Sequence, residues 1–394
     1  MKQVFLLLFL VPLQVMAQVQ VGADQMDQIL VHTEGKKVGM TVNHTSILSN
    51  SRHVHIVDTL LARGVKVVKL YSPEHGLRGT NDAGAVVDSG RDSETGLPVV
   101  SLYGNKKKPT PKELSGIDLM IFDLQDVGVR FYTYISTLTY VLEACAEQGI
   151  PVLVLDRPNP HDYIDGSVRK DKQYSSFISL LPIPAVHGLT LGEAAYLINS
   201  EGWLNNGVKV DLSVITVKGW SHGEAYTLPI APSPNLRTDR AILYYPTICY
   251  FEATTWSEGR GTDTPFEQVG YPDKRMGTHS FVPKSMLGAT KPKHQGKRCY
   301  GPDLHSYDWH KGINLEVIID AYEASKRIGI EFINRKSTFD LLAGNGVLYQ
   351  QIISGVSAEE IRNSWQSDLD AYRKLRAKYL LYPDYPKINV EINT

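Results

Sequence analysis

Apolar and polar positions alternate along the chain in short buried runs and longer amphipathic stretches. KKVGMTVNHT (36–45) reads as a strand ending in polar residues. HVHIVDTLLARG (53–64) has helical spacing of apolar positions and a closing glycine, and VKVVKLYS (65–72) is again a buried strand. The pattern then repeats. IDLMIFDLQDVG (117–128) predicts a strand, TLTYVLEACAEQG (137–149) a helix, IPVLVLDRPNP (150–160) a strand and LTLGEAAYLINSEG (189–202) a helix. Strand, helix, strand at this spacing predicts an α/β fold, a parallel sheet with helices on both faces. Past residue 230 the texture changes to a stretch rich in Pro, Gly and Thr. Beyond it INLEVIIDAYEASKRIG (313–329) and SAEEIRNSWQSDLDAYRKLRAKYLLY (357–382) predict long amphipathic helices, the second capped by Ser357 with Glu360. These belong to a second, smaller α+β domain, as a chain too long for one core requires.

In such sheets ligands sit outside the carboxyl ends of the strands. The polar residues expected there are Asn43, His44 and Thr45 after the first strand, then Glu74 and His75. Asp123, Gln125, Asp126 and Arg130 follow the next, and Asp156, Arg157 and Asn159 the fourth. Caps and turns account for part of this set, Asp156 and Asn159 above all, because they flank prolines. Gln125, Arg130 and the cluster Phe131-Tyr132-Thr133-Tyr134 arrive together. Acids, amides and aromatic faces in one cleft suit a sugar, whose hydroxyls need fixed partners and whose ring faces stack. The long polar stretch 76–104 reads as a functional loop over that cleft. Residues 231–270, with Glu252, Glu258, Glu267 and Arg260, read as a segment lining it.

Composition narrows the classes. With 41 basic and 42 acidic residues, the chain lacks the basic excess that nucleic-acid and membrane-surface binders need. Cys145, Cys249 and Cys299 are odd in number and far apart, which indicates neither a zinc site nor a disulfide scaffold. The first strand ends in NHTSILSN, with neither GxGxxG nor GxxxxGK[ST], so no nucleotide cofactor is expected. MKQVFLLLFLVPLQVMA opens with a lysine, continues with an apolar run too short and too proline-broken to span a bilayer, and ends on an A-x-A-like site. Residues 1–17 are therefore expected to be a cleaved signal peptide, leaving an exported protein without stable membrane insertion. It would be periplasmic in a diderm bacterium and secreted otherwise.

Six blocks, SPEHGLRG, DLQDVGVRFYTYISTL, LDRPNP, HGLTLGEAA, SPNLRT and YFEATTWSEGRGTDTPFEQ, occur in the order seen in the exo-β-N-acetylmuramidase family, long catalogued only as a domain of unknown function. The resemblance runs from about residue 36 to the end. It implies a glycoside hydrolase of cell-wall turnover that removes single N-acetylmuramic acid units from the non-reducing ends of peptidoglycan fragments, with no cofactor. It also implies a Rossmann-like domain, here 24–242, and a smaller C-terminal domain, here 243–394, with the site between them and 243–275 lining it. The family's proposed catalytic glutamate lies in the Glu-His-Gly block, which is Glu74 here.

Glycoside cleavage needs a proton donor for the leaving oxygen and stabilisation of an oxocarbenium-like carbon. Glu74 suits the first task where burial keeps the carboxyl protonated near neutral pH. The second falls to a carboxylate such as Asp126, Glu252 or Glu258, or to the substrate's own 2-acetamido oxygen; Glu252 and Glu258 are taken with Glu74 as the catalytic set. N-acetylmuramic acid carries a lactyl ether with a carboxylate when no peptide is attached, so Arg130, Arg237 or Arg260 is expected to face it. The remaining candidate substrate contacts are Asn43, His75, Asp123, Gln125, Tyr132, Tyr134, His187 and Asn235. Two other classes share the same residues: a muropeptide-binding protein without catalysis, and a metal-dependent hydrolase using His44, His75 and His187, for which no compact ligand motif exists.

Overall fold

In a computed structural model the described residues are 19–49, 52–78, 89–309 and 312–385; the expected signal peptide lies outside them. The first half runs α1 (Met26–Thr33), β1 (Lys37–Val42), α2 (Ile56–Ala62), β2 (Lys66–Ser72), β3 (Gly90–Arg91), β4 (Pro98–Ser101), α3 (Pro111–Leu114), β5 (Leu119–Asp123), α4 (Tyr134–Gln148), β6 (Val152–Leu155), β7 (Ile164–Asp165), β8 (Val186–His187), α5 (Leu191–Ser200) and β9 (Leu212–Ile215). Seven of these strands form one sheet in the order β3-β4-β2-β1-β5-β6-β9. All neighbours are parallel except β3, which runs antiparallel to β4. The fold is the α/β class that the alternating pattern predicts.

The stretch 76–104 departs from its reading as a loop. Its later part supplies β3 and β4, because Val99 and Val100 alternate faces and pair with Leu70 and Tyr71 of β2. Residues 79–88 lie outside the described residues.

Period-two alternation sends side chains to two cores. Val38, Met40, Val42, Leu119 and Ile121 pack with α1 and α2 on one face. Met120, Phe122, Val152 and Val154 pack with α4 and α5 on the other. That second core continues without a break into the C-terminal region, through α6 (Asp239–Ile248), α7 (Leu315–Arg327), α8 (Lys336–Ala343), α9 (Val347–Ile353) and α10 (Ala358–Arg376). A two-stranded ribbon, β10 (His279–Phe281) with β11 (Cys299–Gly301), completes the smaller α+β part. Ser357 caps α10 in a capping box with Glu360, as the sequence indicates. One apolar core joins the two parts, and a groove lined by residues of both runs between them.

Candidate active site

The groove is a cleft of about 330 Å³ outside the carboxyl end of β2. After Ser72 the chain meets Pro73, which cannot extend a ladder, and turns sharply through Glu74, His75 and Gly76. His75 and Gly76 both adopt left-handed backbone, with φ of 69° and 77°. For glycine this is free; for His75 it costs about 1–2 kcal/mol, strain of the kind stored at functional sites. The turn brings half-buried Glu74 to the cleft wall with His75 beside it. Thr133, the residue before α4, donates its hydroxyl to Glu74 Oε2 at 2.7 Å.

An aromatic wall faces this pair. Tyr132 meets Tyr134 edge-on at 4.8 Å and Tyr245 at 5.9 Å, and Tyr245 meets Phe266 at 5.2 Å. The phenols are held from behind. Tyr132 donates to the Pro232 carbonyl at 2.9 Å, and Asn43 Nδ2 donates to the Tyr134 hydroxyl at 2.8 Å. Asn235 also lines the cleft, its Nδ2 donating to the Gly288 carbonyl at 2.7 Å.

The opposite side is a chain of charge. Arg260 Nη2 contacts Glu252 Oε1 at 2.6 Å, and its Nε lies 3.3 Å from Glu258 Oε1. Its guanidinium carbon stands 4.9 Å from the centre of the Phe266 ring. Lys293 Nζ lies 3.1 Å from Glu258 Oε2. Burial works to raise the Glu258 carboxyl, but the Lys293 and Arg260 charges outweigh it and hold the group below the usual carboxylate range. Glu252 lines the cleft itself, whereas Glu258 sits behind Arg260, in a second lobe.

Of the expected residues, Glu74, His75, Tyr132, Tyr134, Asn235, Glu252 and Arg260 meet around this one cleft. The others do not line it. Arg130 is fully buried, with its guanidinium donating to the carbonyls of Ser167, Ile183 and Leu342 at 2.6–2.8 Å; it ties the first half to α8 rather than facing a sugar. Burial lowers it to about 10. Arg237 is exposed and folds onto the Pro234 carbonyl at 2.7 Å. Asp123 makes a buried two-pronged pair with Arg157 at 2.6 and 3.0 Å. Gln125 donates to the Asp126 and Pro158 carbonyls. Asn43 lies behind Tyr134, and its Oδ1 accepts from the Thr45 amide and hydroxyl.

Asp126 accepts from the Gly128 amide at 2.6 Å, and burial pushes its carboxyl up to about 7 against that hydrogen bond, so it is poorly suited to serve as an anion for a developing cation. His187 is a core histidine lowered to about 3 by burial. Among the described residues no group of three or more His, Cys, Asp or Glu side chains is arranged to hold a metal ion.

Tyr245, Phe266, Arg335 and Thr338 also line the cleft without having been singled out. Tyr245 and Phe266 belong to the Pro- and Gly-rich stretch whose texture pointed to the cleft as a whole. Arg335 and Thr338 lie in INRKSTFD, where no spacing marks them.

The family profile described as exo-β-N-acetylmuramidase NamZ, N-terminal, matches residues 38–240, and its C-terminal counterpart matches 243–382. The chain belongs to this family. It is 39% identical over 391 residues to the peptidoglycan β-N-acetylmuramidase NamZ of Bacillus subtilis, covering 93% of this chain and 92% of the relative. Two crystal structures of DUF1343 family proteins from Bacteroides fragilis share the fold. One has a TM-score of 0.84 and 39% identity over 94% of this chain and all of the other. The second has a TM-score of 0.77 and 30% identity over 92% and 99%. Membership in the exo-β-N-acetylmuramidase family makes the chain a glycoside hydrolase, and the cleft holding Glu74 is where its chemistry is sought.

Proposed function

We propose that this exo-acting β-N-acetylmuramidase removes single N-acetylmuramic acid units from the non-reducing ends of peptidoglycan-derived saccharides, with Glu74 as the proton donor. One observation carries the role: Glu74 is presented by a strained turn at a strand end, oriented by Thr133, into a cleft walled by aromatic rings. Glu74 gives its proton to the glycosidic oxygen as the C1–O bond breaks, and water then supplies hydroxide to C1 and returns a proton to a carboxylate. Glu252 is the second carboxylate at the cleft and faces the developing positive charge; the substrate's acetamido oxygen is the competing partner. The test is turnover of a chromogenic β-N-acetylmuramide by wild type and Glu74→Gln. Hydrolysis by the former and loss in a folded variant support the role, and equal turnover removes Glu74 from it.

The same reading places the enzyme outside the cytoplasm, where peptidoglycan is, with a mature chain starting near Gln18. Mass spectrometry of the protein from its native host checks this, and an intact Met1–Ala17 segment contradicts it. The muropeptide-binding alternative has no observation in its favour.

A further inference from the structure

A second lobe, also about 330 Å³, adjoins the cleft; it shares Glu252, Arg260 and Arg335 with the first and adds Glu258, Lys291 and Lys293. Four cations and two acids meet there, and the two acids are already engaged. Glu252 and Glu258 hold Arg260, and Glu258 also holds Lys293. Lys293 is further fixed by the carbonyls of Phe251 and Trp256 at 2.6 and 3.0 Å. Among the described residues, Arg335 and Lys291 are left with no carboxylate partner.

Arg335 lines both lobes. Its backbone amide donates to the Ala253 carbonyl at 3.2 Å, which fixes its position on the wall. The guanidinium is exposed and makes one long hydrogen bond, 3.5 Å from Nη1 to the Glu252 carbonyl. Most of its five N–H donors are therefore free to meet an anion in a two-pronged geometry. Of the arginines weighed for that task, Arg130 is spent on three carbonyls, Arg237 lies off the cleft, and Arg260 is held by two acids.

We propose that Arg335 binds the free carboxylate of the lactyl ether on the muramic acid in the cleft, and so sets the preference for muramic acid over N-acetylglucosamine. This rests on the muramidase reading above. The lactyl carboxylate is the one ionised group that separates the two sugars, and Arg335 is the cleft arginine that no carboxylate among the described residues pairs with. Lys291, on a flexible stem in the same lobe, adds to the field without fixing geometry.

The experiment compares kcat/KM on three chromogenic β-glycosides: N-acetylmuramic acid, its neutral lactamide, and N-acetylglucosamine. Wild type is expected to favour the free acid over the lactamide by about ten- to a hundredfold, less at raised salt. Arg335→Gln should remove most of that ratio by slowing the free acid far more than the lactamide, and Arg335→Lys should restore part of it. The wild-type ratio needs no variant, so misfolding cannot mask the answer. Equal wild-type rates on acid and lactamide, or an unchanged ratio in Arg335→Gln, overturn the assignment and leave the muramidase reading standing. Inactivity of wild type on every muramide overturns both.

Discussion

The Thr133 hydroxyl donates to Glu74 Oε2 at 2.7 Å and so ties the start of α4 to the turn that ends β2. Two elements that leave the sheet at separate points thereby fix one carboxyl. Thr133→Val should lower kcat by about ten- to a hundredfold, the worth of a hydrogen bond to an ionisable group, while KM changes little. Glu74→Gln, which keeps an acceptor for Thr133, should lose at least about a hundredfold. Steady-state kinetics with a check of folding decide both, and a Thr133→Val effect confined to KM would contradict the positioning role.

Glu252 and Glu258 are expected to part company on substitution. Glu252 is a third exposed at the cleft, so Glu252→Gln should impair turnover with little loss of stability. Glu258 is buried between Lys293 and Arg260, and Glu258→Gln takes away the carboxylate partner of Lys293 and one of the two that hold Arg260, which costs about 3–5 kcal/mol. Denaturant unfolding beside kinetics separates the two, and an undiminished midpoint for Glu258→Gln would count against the charge chain.

Arg130 is predicted to matter for stability rather than specificity. Arg130→Met leaves the carbonyls of Ser167, Ile183 and Leu342 without this donor, at a cost of at least about 3 kcal/mol. The variant that remains folded should keep the ratio of muramide to glucosaminide rates. A changed ratio with unchanged stability would return Arg130 to the site.

His222 makes stability depend on pH. Burial opposes its charge, but hydrogen bonds to Asp162 and Glu193 prevail and raise it to about 9, with Arg376 close by and itself bound to Asp384. A histidine raised above its unfolded value of about 6.5 contributes fully below that pH, and the contribution is lost as pH rises through about 9. The loss is on the order of 2–3 kcal/mol and should be absent in His222→Gln. Unfolding midpoints at pH 6 and pH 9.5 measure it; parallel curves for the two proteins would refute it.

The sequence revealed the sheet because its strands are short and buried and its helices carry glycine or serine signals, as at Gly149 and Ser357. Glu74 was legible because a proline, an acid, a histidine and a glycine crowd one strand end. Arg130 misled for a physical reason. Its partners are backbone carbonyls from segments remote in sequence, and nothing in side-chain identity announces them. Asp123 and Gln125 misled likewise, since a polar residue at a strand end serves a buried ion pair or a loop carbonyl as readily as a ligand. Arg335 stayed hidden because its role depends on which acids the other cations have already taken.

Exo-acting release of muramic acid by the Glu74 cleft makes the terminal sugar of the glycan decisive. It is tested most directly by following products over time from two matched peptidoglycan glycans, one ending in N-acetylmuramic acid at the non-reducing end and one ending in N-acetylglucosamine. Free N-acetylmuramic acid is expected as the first product of the former, with no product from the latter and no release from either with Glu74→Gln. Internal fragments, or equal attack on both glycans, would contradict it.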